Sequence, residues 1–261
     1  FIWRHGNSLR NDDEFSINEA NDFVISYIRS AFNDLSIKYG FKHIVEKTEN
    51  NSLRINFVNK IFPEAKFIFV VRDGRDAIAS MLNRRHQPMD PVFLLKKARY
   101  IPISDIPIIA IRYFKNMFRR YFFNKRVVYQ LGPVFKGMEK LLHNHSEAEI
   151  VAIQWAKCIE KAYKDIKNIE SERVHIIKYE GLVKNSKTEI IDLIKFLKID
   201  LSKEDFKLLF NKISFGDIGK ETSSSEMKTV KGISDKSVGR WKMQLDDDTL
   251  HSIMPIIENT M

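Results

Sequence analysis

Arg72 and Ser80 stand eight residues apart, separated by Asp73-Gly74-Arg75-Asp76-Ala77-Ile78-Ala79. The apolar run Phe67 to Val71 reads as a buried strand and the residues from Gly74 onward as a helix, so Arg72 falls at a strand's carboxyl end. A guanidinium there, together with the N–H groups of the helix that follows, is equipment for a phosphate. Ser80 lies about two turns into that helix and can converge on the same phosphate. A buried strand followed by a charged surface turn fits the same residues. His43 to Glu46 reads as another short buried strand, which puts Lys47 at a second carboxyl end.

The elements that must position these residues alternate along the chain. Ser16 with Glu19 makes a capping box for a helix to about Lys38, and Gly40 ends it. Asn51 caps a helix to Ile61, Lys66 to Val71 is the next strand, and Gly74 to Arg84 the next helix. Strand, helix and strand with a short crossover form a parallel α/β unit, whose ligands gather at the carboxyl ends where Lys47 and Arg72 stand. Pro88, Pro91, Pro102, Pro107 and Pro133 break residues 85–145 into short helices and loops. Ser146 with Glu149 caps a long helix through Ile166, Arg173 to Lys178 is a further strand, and Ser186 with Glu189 caps a helix to Leu197. Ser202 opens one more. Phe215 to Val238, rich in glycine, serine and lysine, reads as a lid or as a plain connection. No internal repeat or interdomain linker is visible.

These residues resemble the PAPS-dependent sulfotransferases, which transfer a sulfuryl group from 3′-phosphoadenosine 5′-phosphosulfate (PAPS). The landmarks are Lys47-Thr48, the turn Phe62-Pro63-Glu64-Ala65-Lys66, Arg72 with Ser80, Gln154-Trp155, Val174 to Val183, Phe196-Leu197 and Gly239-Arg240-Trp241-Lys242. They run in the family's order from about residue 43 to 260. The resemblance implies an α/β fold, a parallel sheet flanked by helices in the P-loop NTPase-like sulfotransferase architecture, with a basic and aromatic helical insertion over 86–145 in one domain spanning 1–261. It also implies PAPS as donor, the bisphosphate PAP as product, a hydroxyl or amine acceptor on a small molecule or carbohydrate, and no metal.

Site roles follow from the same resemblance. Lys47 stabilises the bridging oxygen that leaves, or is an ordinary surface lysine. Arg72 and Ser80, with Arg84 four residues further along the helix face, hold the 3′-phosphate. Tyr179 contacts the adenine, or is a core tyrosine with a satisfied hydroxyl. Ser223, Lys231 and Arg240 close over the 3′-phosphate, and Trp241 anchors the core. Glu49, two residues after Lys47, is the candidate base, a departure from the family's His or Pro. A solvated Glu49 is the bland reading, and His5 and His86 are alternatives. The family's Pro-Arg-Ser-Gly-Thr-Thr-like loop, which cradles the 5′-phosphosulfate through backbone amides, has only a faint echo in Gly6 to Leu9. The expectation is a chain truncated at its N-terminus.

Composition bounds the answer without choosing it. The 261 residues, 44% apolar and 11% aromatic, support one substantial core, and Cys158, the one cysteine, excludes an intramolecular disulfide. It reads as an inert buried thiol, and a cytoplasmic setting is the default. The net charge of +9 asks for an anionic partner. Between Phe93 and Lys140 eleven lysines and arginines meet only Asp105 and Glu139, interleaved with aromatics. That stretch suits peripheral membrane contact, or packs its aromatics inward and leaves its cations in water. Nucleic acid is a weaker match. A P-loop-like nucleotide kinase would want a Gly-x4-Gly-Lys-Ser/Thr loop, which the sequence lacks. A non-catalytic basic module for nucleic acid or membrane would bind in a salt-sensitive way with no preference for adenine nucleotides.

Overall fold

The computed structural model describes residues 3, 10–85, 107, 110, 111, 114, 132–214 and 237–260. The helix expected from Ser16 resolves into two pieces. The Glu19 carboxylate accepts from the Ser16 N–H at 2.6 Å and hydroxyl at 2.9 Å, yet this box closes only a 3₁₀ turn, Ile17–Glu19. Ala20, at φ −81° and ψ 70°, leaves helical geometry. The chain restarts at Asn21, whose side chain accepts from the Val24 N–H at 3.0 Å and caps α1, Asp22–Tyr39. Gly40 ends α1 in the left-handed region, φ 66°, a conformation that favours glycine.

The expected strand at His43 to Glu46 does not form. Its backbone pairs with no strand among the described residues, and Val45 is 82% exposed. An apolar pattern records a preference for a sheet, but a strand exists only where another strand supplies the ladder. Asn51 does not cap the following helix either. Its amide donates to Glu46 and its carbonyl accepts from Arg54 Nε, inside a 3₁₀ turn over Glu49–Leu53. The helix α2, Ile55–Ile61, starts only after Arg54.

Next come β1, Phe67–Val71, and α3, Gly74–Arg85. Ser146 and Glu149 form the predicted capping box of α4, Glu147–Ile166, with Ser146 N–H donating to the Glu149 carboxylate at 2.7 Å. Asp165, 2% exposed on α4, accepts from the Asn56 N–H at 3.5 Å and from the Asn56 side chain at 2.9 Å and so holds the N-terminal turn of α2, whose own flanking residue makes no cap. A carboxylate from another helix thus does a cap's work. β2, Val174–Lys178, lies parallel to β1 with Phe67 opposite Val174 and Val71 opposite Lys178. This is the pair that builds the sheet, so its crossover is the long stretch through α3 and α4, not the short one through α2.

After β2 the chain turns into α5, Tyr179–Lys184, and α6, Ser186–Leu197. Ser186 opens α6 but does not cap it; Asn185 occupies the cap position, without a side-chain cap bond. α7, Lys203–Ser214, begins where Ser202 Oγ accepts the Asp205 N–H at 3.0 Å. Beyond the predicted 215–238 loop, which lies almost entirely outside the described residues, come α8, Trp241–Gln244, and α9, Asp247–Ile257. The fold is therefore mixed α/β, mostly helical around a small parallel sheet. Among the described residues no helix is long and apolar enough to cross a membrane.

The core behind the carboxyl ends is made by α3, α4 and α9, where Ile78, Val151, Trp155, Ile159, Ile253 and Ile257 belong to one buried cluster. Trp155 reaches the first residue of α3, where a Cβ on Gly74 would lie 3.0 Å from its ring. Gly74→Ala is therefore expected to push the indole and destabilise the protein by about 1–3 kcal/mol, the usual cost of overpacking. Urea denaturation reads this directly. A variant as stable as the parent would mean that α3 and α4 are less closely docked than described.

Candidate active site

Because β1 and β2 are parallel and in register at Val71 and Lys178, the residues immediately after them, Arg72 and Tyr179, emerge side by side. The Arg72 guanidinium lies over the Tyr179 ring, 5.0 Å from its centroid. Its Nη2 donates to the Ser237 carbonyl at 2.6 Å, and the Tyr179 hydroxyl pairs with Ser237 Oγ at 2.7 Å. Three distant segments meet here. Arg72 Nε is buried and has no hydrogen-bond partner among the described residues. Leaving a buried donor unmade costs roughly 1–3 kcal/mol, so a guanidinium held this way is set to receive an acceptor.

The connection that follows Arg72 is fixed from both sides. Glu180 accepts the Asp73 N–H at 2.9 Å, which ties the end of β1 to the start of α5. Arg75 donates to the Asp73 carboxylate through Nε at 3.0 Å and Nη2 at 2.6 Å. Burial pushes the Asp73 carboxyl up, but these bonds and the Arg75 charge outweigh it and hold it below the ordinary carboxylate value. Asp73 in turn raises Arg75. The Arg75 guanidinium also covers the Trp241 ring at 4.4 Å. Trp241 is only partly buried, so it works as a stacking plate under Arg75.

The other expected site residues form a second group. Glu49 pairs with Lys47 at 3.4 Å and with Arg84 at 3.8 Å, both through Oε1. Lys47 is 81% exposed, and Glu49 and Arg84 are more than half exposed. The desolvation that a carboxylate base draws on is not built around Glu49. Arg84 closes the far end of α3, about 15 Å from Gly74 at 1.5 Å per residue. It therefore reaches Glu49 rather than the Arg72 group. Ser80, half-buried, lies between the two groups on α3. Arg240 is the residue before α8, within the turn whose Ser237 meets Arg72. Ser223, Lys231, His5 and His86 lie outside the described residues, as does most of the 86–145 insertion.

Cys158 sits beside Ser52, and burial pushes its thiol up to about 12, which leaves no thiolate for chemistry near neutral pH. Among the described residues no group of three or more His, Cys, Asp or Glu side chains is placed to hold a metal ion. Sequence reasoning missed Ser237 and Glu180 as builders of the site, and with them Asp76, whose carboxylate accepts the Gly239 and Trp241 N–H groups beside Ser237. Asp76 reads from sequence only as a helix-opening acid. Ser237 carries no local signal at all, since its partners lie 165 and 58 residues away.

A model of the sulfotransferase domain family matches residues 21–261. Among solved structures, the chain is similar to the sulfotransferase domain from the curacin biosynthetic pathway, with 15% sequence identity, 89% of this chain and 67% of that one covered, and a TM-score of 0.49. No curated protein matches.

Proposed function

The chain belongs to the sulfotransferase domain family, and from that membership we propose that it moves a sulfuryl group from PAPS to a hydroxyl or amine of an acceptor, with 3′,5′-ADP as the nucleotide product. The donor supplies the activated sulfuryl group. The observation that carries this reading is Arg72 Nε, buried and without a hydrogen-bond partner among the described residues, on a guanidinium whose other end is pinned to the Ser237 carbonyl at 2.6 Å. A fork of N–H donors at a strand's carboxyl end matches a phosphate's oxygens in a way that a point cation does not.

In this reading Arg72 and Ser80 hold the 3′-phosphate, with Arg240 adding positive charge, and Tyr179 faces the adenine, while Arg84 stays at the far end of α3 beside Glu49. Lys47 offers a mobile cation to the oxygen that gains charge as the bond to sulfur breaks. Glu49 takes the acceptor's proton. With Lys47 turned toward the leaving oxygen, Glu49 loses its nearer ion-pair partner and keeps only the exposed pair with Arg84 at 3.8 Å. Ser223 and Lys231 belong to the same grip, with a small molecule or carbohydrate as acceptor.

Calorimetry with the two product-like nucleotides tests the donor assignment. In buffer containing a chelator, 3′,5′-ADP should bind more than about tenfold more tightly than 5′-AMP, because one charged hydrogen bond is worth at least that much. Equal affinities, or binding that requires added Mg²⁺, would overturn it.

A further inference from the structure

Asp76 has no part in the chemistry described above, yet it is 2% exposed, and burying a carboxylate is costly unless its oxygens are satisfied. Both are used on one distant turn. Oδ2 accepts the Gly239 N–H at 2.7 Å and Oδ1 accepts the Trp241 N–H at 3.0 Å. Gly239 adopts φ 73°, a left-handed conformation in which a side chain would be strained, so the turn keeps both N–H groups on the same carboxylate. The other end of that turn is Ser237, whose carbonyl takes Arg72 Nη2 and whose Oγ meets the Tyr179 hydroxyl. A closed circuit results: Arg72 leads through the chain to Asp76, Asp76 holds the turn, and the turn holds Arg72.

We propose that Asp76 is a positioning residue for nucleotide selectivity, clamping the turn from Ser237 to Trp241 onto the first turn of α3 so that the Arg72 fork is held in one direction. The proposal rests on the reading of Arg72 as the 3′-phosphate grip. Asp76 touches no nucleotide atom in it. The clamp needs two acceptors at one site, which a carboxylate has and an amide does not.

The test compares the full chain with Asp76→Asn and Asp76→Ser, the second being smaller and neutral should the first not fold. Two readouts are taken: hydrogen exchange across residues 237–244, and calorimetry with 3′,5′-ADP and 5′-AMP. Asp76→Asn should raise exchange in the turn, weaken 3′,5′-ADP about tenfold and leave 5′-AMP within about twofold, so that the ratio of the two affinities narrows. A merely structural Asp76 would lower stability or both affinities together. A ratio that stays at the parental value overturns the proposal, whatever happens to exchange. Absence of any preference in the parent protein overturns the donor reading itself, and the parent alone separates that failure from a failure of the clamp.

Discussion

Arg72→Ala should bind 3′,5′-ADP and 5′-AMP with nearly the same affinity, erasing the preference of the parent protein. The size of the loss follows from the number of charged hydrogen bonds removed. Each is worth about 1.5–3 kcal/mol, so one bond accounts for roughly tenfold to 150-fold and a bidentate pair for more. The fold should survive. Arg72 stacks on Tyr179 and donates to Ser237, contacts of about 0.5–2 and 1.5–3 kcal/mol respectively, while the α3, α4 and α9 core lies elsewhere. Arg72→Lys restores charge but not the fork, and most of the loss should remain. Retention of the preference in Arg72→Ala would remove Arg72 from the phosphate site.

What the sequence disclosed and what it hid divide along the range of the interactions. β1 lies within one residue of the expected strand, α3 likewise, and α4 has the bounds that Ser146 and Ile166 imply, because each depends on its own residues. Ser16 with Glu19 has the same four-residue pattern as Ser146 with Glu149, and both boxes close. Only the second continues into a long helix, since Glu147–Ile166 has a buried face to propagate along while Ile17–Glu19 has no buried residue. The segment His43 to Glu46 fails for the complementary reason, its pattern being adequate and its partner strand lacking among the described residues.

The candidate site follows the same rule. Arg72 and Tyr179 are each legible as the residue after a strand, and the parallel register joins them. Nothing local tells that Ser237 completes the pair or that Asp76 reaches Gly239, because these bonds span more than 160 residues in two of the three cases. The sequence also places Arg84 on the face of Ser80, which is right for the helix and silent about Glu49, the partner that Arg84 meets at 3.8 Å. Helical periodicity gives direction around an axis and leaves the neighbour opposite undetermined.

Lys47→Ala should lower kcat by about a hundredfold to a thousandfold, the range seen when a single donor to a developing oxyanion is removed. Its surroundings make this a clean test. Lys47 is 81% exposed and touches Glu49 at 3.4 Å, an exposed pair of the kind that contributes about 0–1 kcal/mol to stability. Thermal unfolding should therefore be unchanged. Affinity for 3′,5′-ADP should stay within about threefold, because a group that acts on charge appearing only in the transition state lowers kcat and kcat/KM together and leaves ground-state binding alone. Glu49→Gln separates the two members of the pair: if Glu49 only restrains Lys47, its loss leaves kcat near normal, and if it takes the acceptor's proton, kcat falls by about a hundredfold or more. Turnover near the parental value in Lys47→Ala would show that the lysine is an ordinary surface cation and that the leaving oxygen is stabilised from another part of the chain.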